Sequence, residues 1–254
     1  MKRTVKSLQG YSIGATDGEI GNVKEVYFDD SSWTVRYLVV ETGNWLSGRK
    51  VLISPQAISS PLQDEEILPV NLTMEQVKNS PDIDTEKPVS RQHEMELYNY
   101  YPWTSYWGGG MWAGGLGTTG MMLPHVEPFE DAIRHGEGGE SHAEEGDPHL
   151  QSSSKVKGYT IHASDGDVGE VEDFIVDDTT WRIRFLVVDT GNWLPGKKVL
   201  ISPQWIEHIE WETSRVTVNV PIDKIKNAPE YDQDSPVSDD YEKGLYGHYD
   251  AKYS

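Results

Sequence analysis

Acidic residues gather in short turns: Asp17 and Glu19, then Asp29-Asp30, and again Asp165 and Asp167, then Asp177-Asp178. Carboxylates of this kind suit a hard cation. A Ca²⁺ or Mg²⁺ site would need several of their oxygens about 2.0–2.6 Å from one ion. The spacing is unlike the Asp-x-Asp-x-Asp-Gly calcium loop. Asp-Gly and Asp-Asp-Ser stretches are explained equally well as turns in which the carboxylate accepts from nearby backbone amides. They read as structural turns, with Asp29, Asp30, Asp177 and Asp178 the residues to hold an ion if one binds. His125, His135, His142 and His149 stand among glutamates, a donor set that suits Zn²⁺ or Ni²⁺. Their spacing matches no structural zinc pattern, and the segment lacks the apolar surface to fold alone, so it reads as a solvated tether.

Aromatic residues offer a different chemistry. Trp45 and Trp193 each sit in a Gly-Asn-Trp-Leu turn ahead of a basic pair, Arg49-Lys50 or Lys197-Lys198. Tryptophan beside a cation is typical of binding hot spots. A small barrel also needs large side chains to fill it, and the indole plugging its mouth is the favoured reading. From Leu97 to Pro124 there is no charged residue, and Trp103, Trp107 and Trp112 punctuate a Gly-rich arm. Gly108-Gly109-Gly110 and Gly114-Gly115 weaken any helix there, so the arm is expected to pack irregularly rather than span a bilayer. Contact with a membrane surface through Trp and Tyr is the alternative.

Catalytic signatures are missing. There is no nucleophile elbow, no Gly-rich phosphate loop, no His-Glu-x-x-His and no cysteine. The expectation is a non-enzymatic protein without a cofactor. Lys and Arg total 22 against 42 for Asp and Glu, a net charge of -20 that repels phosphate backbones and argues against a nucleic-acid partner. Zero cysteines fit a reducing cytoplasm. No apolar stretch follows the basic opening Met1 to Leu8, so no signal peptide is expected.

The elements that must position these residues come twice. Gly10-Tyr11-Ser12-Ile13 returns as Gly158-Tyr159-Thr160-Ile161, a shift of 148. The same shift carries Asp29-Asp30 onto Asp177-Asp178, Trp33 onto Trp181, and Val51 to Gln56 onto Val199 to Gln204. The register holds into the tails, where Pro88-Val89-Ser90 meets Pro236-Val237-Ser238. Within a unit, β-branched and aromatic runs over 19–28, 33–40, 50–54 and 66–70 predict short strands. Thr73-Met74-Glu75-Gln76 has the form of a capping box and predicts a helix over 74–79. Ser90 and Ser238 could each cap a tail helix, the first with Met95 and Tyr98 on its docking face. Such short helices need a surface to pack on, their own unit or, by exchange, the sister unit.

Both units resemble the PRC-barrel domain. The matching residues are Asp17 to Val23 with Asp29-Asp30, and Asp165 to Val171 with Asp177-Asp178, followed by Arg36 to Val40, the Gly-Asn-Trp-Leu turn and the Val-Leu-Ile-Ser-Pro strand. The same module occurs in the reaction-centre H subunit and a ribosome maturation factor, and this chain is more similar to stand-alone, duplicated bacterial members. The resemblance implies a mainly β protein of two small closed barrels, each followed by a short helix and a helical tail. The units are placed at 1–101 and 156–254, with arm and linker at 102–155. It further implies an assembly or adaptor role toward another protein, the chain being an internal pseudo-dimer or a homo-oligomer. An acidic divalent-cation binder is the remaining alternative.

Overall fold

The computed structural model describes residues 1–59, 66–81, 89, 91–101, 103–104, 149–191, 196–233 and 235–251. Two sheets carry the architecture. In the first half β2 (Ser12–Ala15), β3 (Gly18–Asp29), β4 (Thr34–Thr42), β5 (Lys50–Ile53) and β6 (Ile67–Pro69) lie in the order β5-β4-β3-β2-β6. In the second half β8 (Thr160–Ala163), β9 (Gly166–Asp177), β10 (Ile183–Asp189), β11 (Lys198–Ile201), β12 (Ile206–Glu210) and β13 (Arg215–Val218) follow the same plan, β11-β10-β9-β8-β13-β12. The chain is therefore mainly β, as expected. Neither ladder closes by hydrogen bonds among the described residues.

Alternation explains these strands only in part. Val23, Val26 and Phe28 of β3 share one buried face, because a bulge between Val23 and Glu25 turns the strand's second half, and Tyr27 on the opposite face is buried as well. A second irregularity requires Gly21. Its φ is 154°, and a Cβ there would lie 2.0 Å from the Glu41 carbonyl oxygen. Gly169 repeats this with φ 153° and 2.2 Å to the Asp189 oxygen. Only glycine lets the neighbouring strand approach so closely.

Short helices bind each sheet's ends. In α2 (Met74–Lys78) the Thr73 hydroxyl accepts from the Gln76 amide while the Gln76 side chain accepts from the Thr73 amide, the reciprocal cap that the sequence predicts. Its counterpart α5 (Ile222–Lys226) has Pro221 at the cap itself, one residue before the first turn. Asp17 and Asp165 do more than turn the chain. Each accepts from the first amide of the helix beside it, Met74 N at 2.8 Å and Ile222 N at 2.7 Å.

The tail helices α3 (Arg91–Tyr100) and α6 (Asp239–His248) dock on their own units. Ser238 caps α6 by accepting from Tyr241 N, and Tyr246 packs against Phe185 and Trp205. Of the predicted stripe on α3, Tyr98 packs on the core against Tyr37 and Met95 does not. Met95 is 47% exposed, whereas Glu94, Leu97 and Tyr101 are buried. A carboxylate can face the core here because the Tyr37 hydroxyl donates to Glu94 Oε1 at 2.9 Å.

The exchanged element is at the other end of each unit. β1 (Lys2–Thr4) pairs antiparallel with β9 of the second half, Lys2 opposite Asp177 and Thr4 opposite Ile175. β7 (Leu150–Ser152) pairs with β3 of the first half, Leu150 opposite Asp29 and Ser152 opposite Tyr27. The single-turn helices that follow, α1 (Val5–Leu8) and α4 (Ser153–Val156), cross with them. The Lys6 amide donates to Asp173 at 3.1 Å, and the Val26 amide donates to the Ser153 hydroxyl at 3.3 Å. Val5, Leu8 and Val156 are at most 1% exposed, so the crossing segments form part of the core. The second half thus begins at its strand 150–152, inside the span read as linker.

Candidate functional site

The two units meet along the turns that hold the paired aspartates. In the first, Asp29 accepts from the Ser31 amide and hydroxyl and from the Ser32 amide at 2.6–3.0 Å, and its second oxygen meets Arg36 at 3.1 Å. Burial pushes the Asp29 carboxyl up. The Ser31 hydroxyl, the Ser32 amide and Arg36 outweigh that and hold it below the usual aspartate value. Asp177 accepts from the Thr179 and Thr180 amides at 2.9 and 3.0 Å. It too is held low against burial, chiefly by those amides, with the N-terminal charge and Arg184 adding to them.

These tight turns force the next residue into left-handed backbone. Trp33 has φ 53° and Trp181 φ 56°, uncommon for a bulky side chain and held by the surrounding bonds. The reward is reciprocal contact. Val35 N donates to the Trp181 oxygen at 2.8 Å, and Ile183 N donates to the Trp33 oxygen at 2.7 Å. Since 183 is 35 plus 148 and 181 is 33 plus 148, each contact is the other's twin, the signature of an isologous two-fold seam. Phe28 stacks on Trp33 with centroids 5.4 Å apart and faces Phe174 of the other unit at 5.6 Å.

Twin clefts open on this seam. The larger, about 550 Å³, is bounded by Trp33, Arg182, Arg184, Gln204 and Tyr246 among others. The smaller, about 270 Å³, is bounded by the equivalent residues Trp181, Thr34, Arg36, Gln56 and Tyr98. Most positions match through the 148-residue shift, but their chemistry differs. Arg36 is bound to Asp29 and to the Ser32 hydroxyl at 3.0 Å. Its counterpart Arg184 makes one ion pair among the described residues, with Glu242 at 3.9 Å, and acts on Asp177 at longer range. Thr34 is replaced in the larger cleft by Arg182, an exposed side chain without a hydrogen-bond or ion-pair partner among the described residues.

A scan against family models matches the PRC-barrel domain at residues 3–72 and again at 150–225, together more than half of the chain. The chain belongs to the PRC-barrel family. Both matches include the exchanged segment, so the crossing strands are part of the PRC-barrel module itself. No curated protein matches the chain.

The residues singled out in the sequence fall in several places. Asp29 and Asp177 secure the seam turns. Asp30 takes His149 Nδ1 at 2.9 Å, and Asp178 takes Arg3 Nε at 3.1 Å together with the Met1 amino group. The four aspartates are thus not brought onto a common point. Among the described residues no group of three or more His, Asp or Glu could hold a metal ion. Trp45 folds over its own PRC-barrel unit and donates to the Ile20 oxygen at 2.7 Å. Trp103 stacks on Tyr101 with centroids 4.1 Å apart and meets Tyr98 edge-on. Trp107, Trp112, Trp193 and the histidine-rich segment through Pro148 lie outside the described residues.

Sequence reasoning used Trp33 and Trp181 only as repeat markers and missed the arginines around them. The signal available was Asp-Asp-x-x-Trp conserved between halves beside a position that changes from Thr34 to Arg182.

Proposed function

We propose that this chain is a non-enzymatic assembly module, in which two PRC-barrel units form one rigid internal pseudo-dimer that presents its seam clefts to another protein. Each unit works as a closed barrel whose core fills the gap between the end strands. The family assignment supports a role in protein contacts. The observation that carries this reading is the reciprocal exchange of 2–8 and 150–156, which makes each PRC-barrel core incomplete without the other unit. Such a joint fixes the relative orientation of two surfaces, which an adaptor needs and a lone barrel cannot supply. Among the described residues no helix is long and apolar enough to cross a membrane.

A photo-crosslinking residue placed at Ser32, on the seam, is compared in the native host with one at Glu212, on the exposed strand-end turn of the second unit. The reading expects a discrete crosslinked protein from the seam and none from Glu212. No product from the seam, or the same products from both positions, overturns it.

A further inference from the structure

The edge of the smaller cleft shows how its glutamine can engage a main chain. Gln56, on its wall, is bonded at both ends of its side-chain amide to one residue: Nε2 donates to the Thr104 oxygen at 2.9 Å, and the Thr104 amide donates to Oε1 at 2.9 Å. A glutamine amide has one donor face and one acceptor face, so it reads the main chain of a single residue regardless of side chain. Trp103, immediately before, rests against Tyr98 of the same cleft. Here a glutamine at the rim of a PRC-barrel cleft holds one residue of a neighbouring segment by its backbone.

In the larger cleft the corresponding Gln204 is exposed, and its side-chain amide makes no hydrogen bond among the described residues. The aromatic wall is retained through Trp33 and Tyr246. Two guanidiniums are added. Arg182 stands at the position of Thr34, and Arg184 lacks the direct carboxylate bond that fixes Arg36. Arginine presents a planar fork of donors that fits a carboxylate in a bidentate manner.

We propose that the larger seam cleft docks an extended segment of a partner protein with an acidic side chain, Gln204 clamping one residue's backbone and Arg182 taking the carboxylate. This rests on the assembly reading above and names the chemistry of its partner. The chain's net charge of -20 opposes an acidic partner at long range. Salt screens that repulsion beyond roughly 8 Å at physiological ionic strength, while contact with the two arginines persists.

The test uses the full chain and fluorescent, end-capped peptides built around Asp-Trp-Thr, with Asn-Trp-Thr as the neutral control. The Asp peptide is expected to bind about tenfold more tightly than the Asn peptide, the scale of one charge-assisted hydrogen-bond pair. Arg182→Thr, which installs the residue that the first half already tolerates, should erase that tenfold difference. Gln204→Ala should weaken both peptides by the same factor, since it removes a backbone contact. The proposal fails if neither peptide saturates at millimolar chain, or if both bind the native chain alike. It fails equally if inorganic phosphate at matching concentration displaces the peptide, which would mark a small-anion pocket. Seam crosslinks at Ser32 without peptide binding would sink this proposal alone, whereas loss of the seam crosslinks would sink the assembly reading.

Discussion

The two halves share a backbone plan and differ where they face ligands. In the first, Arg36 is neutralised by Asp29, and Gln56 is satisfied by Thr104. The second keeps the same walls but leaves Gln204 and Arg182 facing a cleft of about twice the volume. Buried positions that shape the seam cannot drift without breaking both units at once, because each core contains a piece of the other. Cleft-facing positions have no such coupling. Duplication followed by this uneven constraint gives two copies of the same groove whose polar linings differ.

The largest expected effect tests whether the halves really act as one body. Phe28 is fully buried at the seam against Trp33 and Phe174, so Phe28→Ala should cost about 3–5 kcal/mol in urea unfolding. A single transition followed by fluorescence in both halves is expected, for the mutant and the native chain alike. Two separated transitions would show that the exchange does not couple the units.

Next in size is the bulge. Gly21→Ala and Gly169→Ala should each cost about 3 kcal/mol or more, because a Cβ would meet backbone at 2.0 and 2.2 Å in strained φ. Equal losses sharpen the claim of one shared skeleton. A harmless substitution in either half would refute it.

The aspartate turns should separate the halves. Asp29→Ala removes a capped turn and an ion pair with Arg36, for about 2 kcal/mol, while Asp177→Ala removes two amide bonds for about 1 kcal/mol. Acid adds a sign to this. Both carboxyls are held below their ordinary value, so their contribution is present above the unfolded pKa near 4 and is lost as pH falls through the lower folded value. Asp29→Asn should therefore flatten the fall in melting temperature below pH 4, and an unchanged slope would contradict the assignment.

The smallest effect concerns the end of α2. Arg49 donates to the Lys78 and Ser80 carbonyls at 3.0 and 2.6 Å, whereas among the described residues Lys197 donates to the Lys226 carbonyl alone. Arg49→Lys copies that simpler arrangement and should cost about 0.5–1 kcal/mol by thermal melt. A larger loss would mean that the halves differ here more than their geometry indicates.

Much of this was legible in the chain. The 148-residue shift, the β-branched runs and the Thr73–Gln76 cap all report local or repeating physics, so the duplication, the strands and the short helices could be read directly. The docking face of α3 was read correctly at Tyr98 but wrongly at Met95, because Glu94 looks like a surface residue until Tyr37 is brought beside it. Lys2–Thr4 and Leu150–Ser152 gave no strand signal at all, being too short to show a period and unlike one another in residue type.

By itself the sequence determined that one β-rich unit occurs twice and that no thiol chemistry is available, since those follow from residue identity and spacing. Tertiary structure decided which unit each opening strand completes, and with it the seam, the paired tryptophan turns and both clefts. Strand exchange leaves local preferences untouched: the same backbone bonds form with either partner. Only the three-dimensional path of the chain distinguishes the two.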